Sequence, residues 1–312
     1  MTIKHFHEGE LRLQNQVGMR EKIDMLTKHL MRDHMPDQHR DFFEGLEYIF
    51  LGTVDRLGLP HTTILTGPAG FASSPDPKTL IVQTGNRTGL PAFDQIAIGQ
   101  PVGVLGIDLS NRRRNRMHGR VSAMDDGQIS IIVVQSYGNC PKYINLRDIC
   151  DNGMTSPPNA AEVYESLDPQ DIELITRSDT FFIASYVQDG SDAPYEGVDV
   201  NHRGGQPGFV SVNSATQITI PDYRGNDLYN TFGNLLLNPD AALLFIDFET
   251  GDQLHLHGTA KLIEDPAAAA AHPGALRLLQ VTISGVTRRT AATELRWQFI
   301  ETSPVNPDLT QQ

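Results

Sequence analysis

Cysteine is scarce in this chain. Cys140 and Cys150 are the only two, and neither stands in a CxxC pair or any other metal-ligand spacing. The sequence therefore carries no disulfide framework and suits a reducing compartment. Long apolar runs are missing too, since no stretch approaches the ~20 residues needed to span a bilayer. The segment Met1 to Glu8 lacks the basic-then-apolar pattern of a signal peptide. These absences predict a soluble, cytoplasmic protein with no membrane partner. No GxGxxG follows a strand pattern, which disfavours a doubly wound nucleotide-binding fold. No GxSxG elbow is present, so Ser/His/Asp catalysis finds no support. Basic charge is in deficit: the net charge is −13, which argues against nucleic acid or anionic membrane as the main partner.

What is present is an ordinary globular composition, 39% hydrophobic and 20% charged, which excludes general disorder. The 312 residues are enough for about two domains. The strongest signal is an internal repeat. Gly85-Asn86, Phe93, Pro101, Leu105, Ile107-Asp108 and His118-Gly119 recur as Gly225-Asn226, Phe232, Pro239, Leu244, Ile246-Asp247 and His257-Gly258. Gly67-Pro68-Ala69-Gly70-Phe71 is echoed by Gly205-Gln206-Pro207-Gly208-Phe209, and Ile49–Gly52 by Phe181–Ala184. A repeat this long is a domain duplication, not a solenoid. Two related domains in one chain build an interface, and interfaces are favoured places for ligands.

Residues 20–35 place Ile23, Leu26, Leu30 and Met31 on one face of a helix that Pro36 would end. From Tyr48 the texture changes to short apolar runs separated by tight turns, which read as antiparallel strands. A helical period over 90–99 predicts a short helix crossing the sheet. The junction falls at 151–168, giving an N-terminal helix plus first barrel over 1–157 and a second barrel with a C-terminal arm over 158–312. Asp168-Pro169 opens a helix over 169–177. Residues 188–207 read as a loop excursion, 267–271 as a loop or short helix, and the tail after Pro304 as an extended arm. The fold expected is mainly β (α+β): two tandem small antiparallel barrels with short flanking helices.

Four stretches could carry chemistry. Thr219–Asn230 gathers polar groups, a glycine and Arg224 before a helix start, where an anion could sit; the alternative is a polar loop capping that helix. Gln253, His255 and His257 alternate with leucines and share one strand face, toward water or a ligand. No acidic or cysteine partner stands near enough in spacing to make them a metal site. Arg112-Arg113-Arg114-Asn115-Arg116 supports, in that order, internal pairing or dimer contacts, bound phosphate, and nucleic acid. In Gln135–Ile144, Cys140 has no identifiable base and reads as structural, whereas Lys142 could face a phosphate across the interface.

Several of these stretches also carry a resemblance. Phe6-His7-Glu8-Gly9-Glu10, Leu105–Asp108 through Arg116, Gln135–Ile144, His202–Val210, Pro221–Asn226 and Leu244–Asp252 resemble the pyridoxamine 5′-phosphate oxidase-like, FMN-binding split-barrel family, in its two-domain form. The resemblance implies tandem six-stranded Greek-key split barrels with FMN between them, and a homodimer. It places Val210, Ser211 and Val212 against the flavin ring, with Pro221, Tyr223, Arg224, Asn226 and Asn230 near the ribityl chain and phosphate. Gln253 would contact the ring; Arg203, or Gln135, Ser136 and Lys142 from the other domain, would complete the site. Leu228 stands where related single-domain members carry Arg. The function implied is an FMN-dependent oxidoreductase acting on a small-molecule substrate or electron donor, with no catalytic residue identified. The alternatives are a non-catalytic flavin- or haem-binding sensor and a degenerate split-barrel interaction module.

Overall fold

The computed structural model describes residues 5–85, 93, 96–125, 127–150 and 160–309. The expected junction at 157/158 and half of the helix expected over 90–99 lie outside the described residues; 96–99, which are described, are not helical. Three helices come first: α1 (Glu8–Gln16), α2 (Arg20–Leu30) and α3 (Asp37–Glu44). α2 stops five residues short of the expected 35. Beyond it the chain is drawn out so that the backbone of Arg32 exchanges hydrogen bonds with Ser136, and that pairing replaces the last helical turn.

The first sheet holds β1 (Tyr48–Val54), β2 (Pro60–Thr66), β3 (Ala72–Asp76), β4 (Thr79–Gln83), β5 (Pro101–Asp108), β6 (Arg113–Asp125) and β7 (Gln128–Gly138). β8 (Leu146–Cys150), β9 (Glu162–Tyr164) and α4 (Pro169–Arg177) lead to the second half. Asp168 caps α4 as its sequence predicts, accepting from the N–H groups of Gln170 and Asp171. The second half holds β10 (Thr180–Val187), β11 (Gly197–Gly204), β12 (Ser211–Ser214), β13 (Gln217–Asp222), α5 (Asn230–Leu237), β14 (Asp240–Ile246), β15 (Gln253–Ile263), α6 (Pro266–Ala270), β16 (Arg277–Arg289) and β17 (Arg296–Glu301).

The two sheets have one topology. The first runs β2-β1-β5-β6-β7-β4-β3 and the second β11-β10-β14-β15-β16-β13-β12, all antiparallel. Each contains the six strands expected of a split barrel plus one short edge strand, β3 or β12, and the second sheet also takes β9 against β16. The repeated His-Gly dipeptide marks a β-bulge, since register shifts at His118/Gly119 and again at His257/Gly258. A Cβ on either glycine would fall 2.1 Å from a carbonyl oxygen of the neighbouring strand, Ile132 or Thr282. The close strand approach at the bulge therefore excludes any larger residue.

β1 and β10 are buried on both faces. Alternate residues, such as Leu51 and Phe181, fill the two barrel cores. The others form a third core between the barrels, with Phe50, Leu105, Phe182, Leu244 and Trp297. Phe50 stacks on its repeat equivalent Phe182 with ring centroids 3.5 Å apart and planes 17° from parallel. β8 pairs with β17, again joining corresponding elements of the two halves. Equivalent residues that meet each other define an approximate twofold axis through both contacts.

Two expectations need correction. The supposed excursion at 188–207 contains β11, which pairs along the whole of β10. Its Asp and Gly content hid an alternating burial pattern. The tail is docked, not an extended arm: Asn306 Nδ2 donates to Asn145 Oδ1 at 2.9 Å, and Leu309 packs on the second core.

Candidate functional site

A cleft opens where β6 of the first sheet faces the ends of β11 and β13 and the loop running into α5. The cleft is thus built across the approximate axis, with one wall from each half. β6 contributes Arg114 and Arg116, which alternation places on the same face. The second half contributes Asn201, His202, Arg203, Phe209, Asp222, Tyr223 and Thr231.

Arginine dominates the electrostatics. Arg116 is buried; it pairs with Asp199, donates to Asn230 Oδ1 at 3.0 Å, and lies 5.3 Å from the Tyr137 ring centroid. Arg203 lies over the Phe232 ring at 4.5 Å, with Asp222 Oδ1 3.8 Å away. Asp222 also receives Arg277 Nε at 3.2 Å, yet burial holds its carboxyl up at about 6. Arg114 donates Nε–H to Cys140 O at 2.7 Å and Nη1–H to His202 Nδ1 at 3.4 Å, and no carboxylate pairs with it among the described residues. Burial and the nearby guanidiniums of Arg203 and Arg116 depress it to about 10. Burial, then Arg114, Arg147 and Arg203, push the His202 imidazole well below its ordinary value, so it is neutral near pH 7.

The N-terminus of α5 enters the same space. Its cap residue Tyr229 takes φ +62°, Asp227 takes φ +61°, and no side chain caps the helix. Its first N–H groups and the positive end of its dipole are left without an internal partner. Three buried side-chain atoms on the lining also lack one: Asn201 Nδ2, His202 Nε2 and Thr231 Oγ1. An anionic ligand rich in acceptors fits this donor set.

A clasp closes the mouth. Lys142 Nζ and Tyr143 O–H both donate to Arg224 O, at 3.3 and 3.1 Å, and Asn226 Nδ2 donates to Asn139 Oδ1. The Tyr143 and Tyr223 rings face each other with centroids 5.3 Å apart.

Behind the cleft a closed ring of polar groups ties both halves to α1. Arg116 binds Asp199; Asn234 Nδ2 donates to Asp199 Oδ2 at 3.3 Å; His7 Nε2 donates to Asn234 Oδ1 at 2.8 Å. His7 and Glu10 form the capping box of α1, and Asn230 Nδ2 donates to Glu10 Oε1 at 2.6 Å, which returns the ring to Arg116. Gly9 makes this contact geometry accessible, because a Cβ there would lie 2.2 Å from Gly233 O of α5.

Of the residues the sequence singled out, Lys142, Arg203, Pro221, Tyr223, Asn226 and Asn230 line the cleft. Arg224 contributes only its carbonyl to the clasp, and its residue is exposed. Val210 is buried in the second core, and Ser211 and Val212 lie on β12 outside the lining, next to Phe209, which is in it. Ser136 Oγ is 2.9 Å from His39 Nδ1, and Gln135 is buried opposite His118. Gln253 is buried with its Oε1 3.1 Å from His255 Nε2, away from this cleft. Leu228 packs with Phe6, Ile23, Met31 and Tyr137 beneath the N-terminal helices.

Gln253 lies on the strand that repeats β6, so it marks the related position across the axis. There Gln253 and His255 replace Arg114 and Arg116, and Leu65 replaces Arg203. His255, His257, His61 and Thr62 pack closely, leaving a cavity of about 10 Å³. Burial lowers His255 to about 3, so it carries no charge at neutral pH. Sequence reading missed Arg114, Arg116, His202 and Thr231 as lining residues. The signal available was the mismatch between repeats, with arginines in one copy against Gln and His in the other.

A sequence model described as pyridoxamine 5′-phosphate oxidase matches residues 35–147 and again 167–295. No curated protein matches significantly. Among solved structures, a putative pyridoxamine 5′-phosphate oxidase from Lactobacillus delbrueckii is 16% identical, with a TM-score of 0.29, covering 39% of this chain and 98% of its own. An FAD-binding protein from Mesorhizobium loti is 12% identical, with a TM-score of 0.29, over 42% of this chain and 99% of its own. An FAD-binding protein from Mycobacterium smegmatis is 14% identical, with a TM-score of 0.27, over 41% and 98%. No helix among the described residues is long and apolar enough to cross a membrane. With both halves matched separately by its model, this chain belongs to the pyridoxamine 5′-phosphate oxidase family.

Proposed function

We propose that the chain binds one FMN in the interdomain cleft and acts as an oxidoreductase on a small molecule. The observation that carries this reading is the one-sided placement of cations. Arg114, Arg116 and Arg203 converge with the uncapped α5 N-terminus at one of two related positions, while the other is closed around uncharged His255 and His257, with Arg289 the arginine that acts on His255. The family membership and the flavin-binding proteins of similar fold support a flavin over other anions.

The roles follow from placement. The α5 N-terminus with Thr231 and Arg203 would hold the phosphate. Phe209, Tyr223 and Tyr143 would contact the ring system, and neutral His202 would supply a hydrogen bond at its free Nε2. When bound, the flavin would supply the hydride and electron chemistry; the protein binds, orients and shields it. No described side chain needs to act as a nucleophile. In this structure the open space between the walls is about 90 Å³, below the roughly 300–1,000 Å³ of a formed small-molecule pocket. The Tyr143–Lys142 clasp must therefore lift for the ring to enter.

The test is the visible spectrum of freshly purified protein, with identification of any released chromophore, followed by titration with FMN and riboflavin. FMN binding about 100-fold or more tighter than riboflavin is expected from the charge-assisted phosphate contacts. Equal affinities, or no binding of either, would remove the flavin reading.

A further inference from the structure

Beside the cleft lies a second compartment, a groove of about 560 Å³ between α2 and the adjoining ends of β6 and β7. It shares Arg114, Asn139, Cys140 and Asn226 with the cleft, so the Asn139–Asn226 hydrogen bond forms a common wall. One side is apolar, with Ile23, Leu26 and Leu30 from α2 facing Pro141 and Leu228. Leu26 is 53% exposed although it lies on the helix face turned to the protein, which is what an open groove leaves behind. The other side carries Arg112, Arg113 and Arg114, and no carboxylate lines the groove among the described residues.

These arginines are not all neutralised. Arg112 is engaged with Ile144 O and Glu301. Arg113 donates to Gln38 O and lies over the Phe42 ring, and neither it nor Arg114 forms an ion pair among the described residues. Asn115 also lines the groove; it is only 4% exposed and its Nδ2 has no partner. A buried amide donor and two cations on one wall, opposite leucine and proline on the other, specify a ligand with an anionic head and an apolar body.

We propose that this groove binds a small molecule with a carboxylate, sulfonate or phosphate head and an aromatic or branched apolar body, and that it is the substrate side of the cleft. The binding stands on the groove alone; the assignment as substrate side rests on the flavin reading. The groove already has the volume of a formed pocket, whereas the cleft is closed. A ligand seated here would contact Asn139 and Cys140 directly, beside the clasp.

The probe is 8-anilino-1-naphthalenesulfonate, followed by fluorescence, with the uncharged N-phenyl-1-naphthylamine as its analogue. Saturable binding of the anion is expected, weakened about tenfold or more by Leu26→Asp and by Arg113→Glu. Leu237→Asp, at a residue 40% exposed on a different groove, should leave it unchanged. Equal affinity for the uncharged analogue, or binding insensitive to Leu26→Asp and Arg113→Glu, overturns the proposal. FMN titration of the same variants separates the two readings. Loss of probe binding with FMN affinity retained supports the groove; probe binding in a protein that takes no flavin keeps the groove and removes its substrate role.

Discussion

Replacing Arg114 by Met should make the ligand-free protein more stable while it loses its ligand. Arg114 is a guanidinium held against its ordinary protonation, at about 10, chiefly by burial and then by Arg203 and Arg116. At ~1.4 kcal/mol per pH unit, that depression is roughly 3 kcal/mol of disfavoured charge. The side chain is only half-buried, and solvent screening reduces the sum to about 1–2 kcal/mol. Methionine removes that cost and fills similar volume. It also removes the hydrogen bond to Cys140 O and the longer, weaker one to His202 Nδ1, together a loss of about 0.5–1 kcal/mol. The net expectation is a gain of about 0.5–1 kcal/mol, where an ordinary substitution loses about 1 kcal/mol. Affinity for FMN should fall about 10- to 100-fold, the value of one charge-assisted contact. Urea unfolding of the ligand-free protein reads the first number and fluorescence titration the second. If stability and affinity fall together, Arg114 is a structural residue and the cleft has lost its uncompensated cation.

Three further outcomes follow from the same geometry. Burial, and then Asp199, hold the Glu10 carboxyl well above its ordinary range, so the folded state binds its proton more tightly than the unfolded chain does. Stability tied to Glu10 is therefore present at low pH and lost as pH rises from the unfolded value near 4.3 toward the folded one. Glu10→Gln keeps the acceptor for Asn230 and should flatten that slope, of at most ~1.4 kcal/mol per pH unit, in urea midpoints between pH 5 and 8. Phe50→Ala and Phe182→Ala should each cost about 3–5 kcal/mol, with a coupling of about 0.5–1.5 kcal/mol in a double-mutant cycle; additivity would mean the stacked pair does not join the barrels. Tyr143→Ala removes one bar of the clasp at a residue with φ +65° and should speed FMN association in stopped flow by severalfold; an unchanged rate would show that the clasp does not limit entry.

Much of the architecture can be read from residue order, because strands alternate at period two and the duplication states the same instructions twice. His118-Gly119 and His257-Gly258 stand in the sequence as marks of the repeat, and in the structure they are the bulge that lets β6 approach β7, and β15 approach β16. The end of α2 could not be read, since Arg32 leaves the helix for a partner over a hundred residues away, Ser136. The site was half legible. The Thr219–Asn230 stretch reads as a place for an anion before a helix start or as a polar loop capping that helix, and residues from Pro221 onward do line the cleft. Which strand faces that loop depends on how the two barrels pack, and no local pattern carries that information. Gln253 sits in the same half as the loop, but the axis places Arg114 and Arg116 of the other half opposite it. Phe6–Glu10 was recognisable only as a resemblance; its work is to cap α1 and close the polar ring behind Arg116.

The most direct test is the number of FMN molecules bound per chain, measured by isothermal titration of ligand-free protein alongside Arg203→Ala. The account predicts one site, since the related position is closed around His255 and His257, and a large loss of affinity in the variant. Two equal sites, or one site indifferent to Arg203, would contradict it.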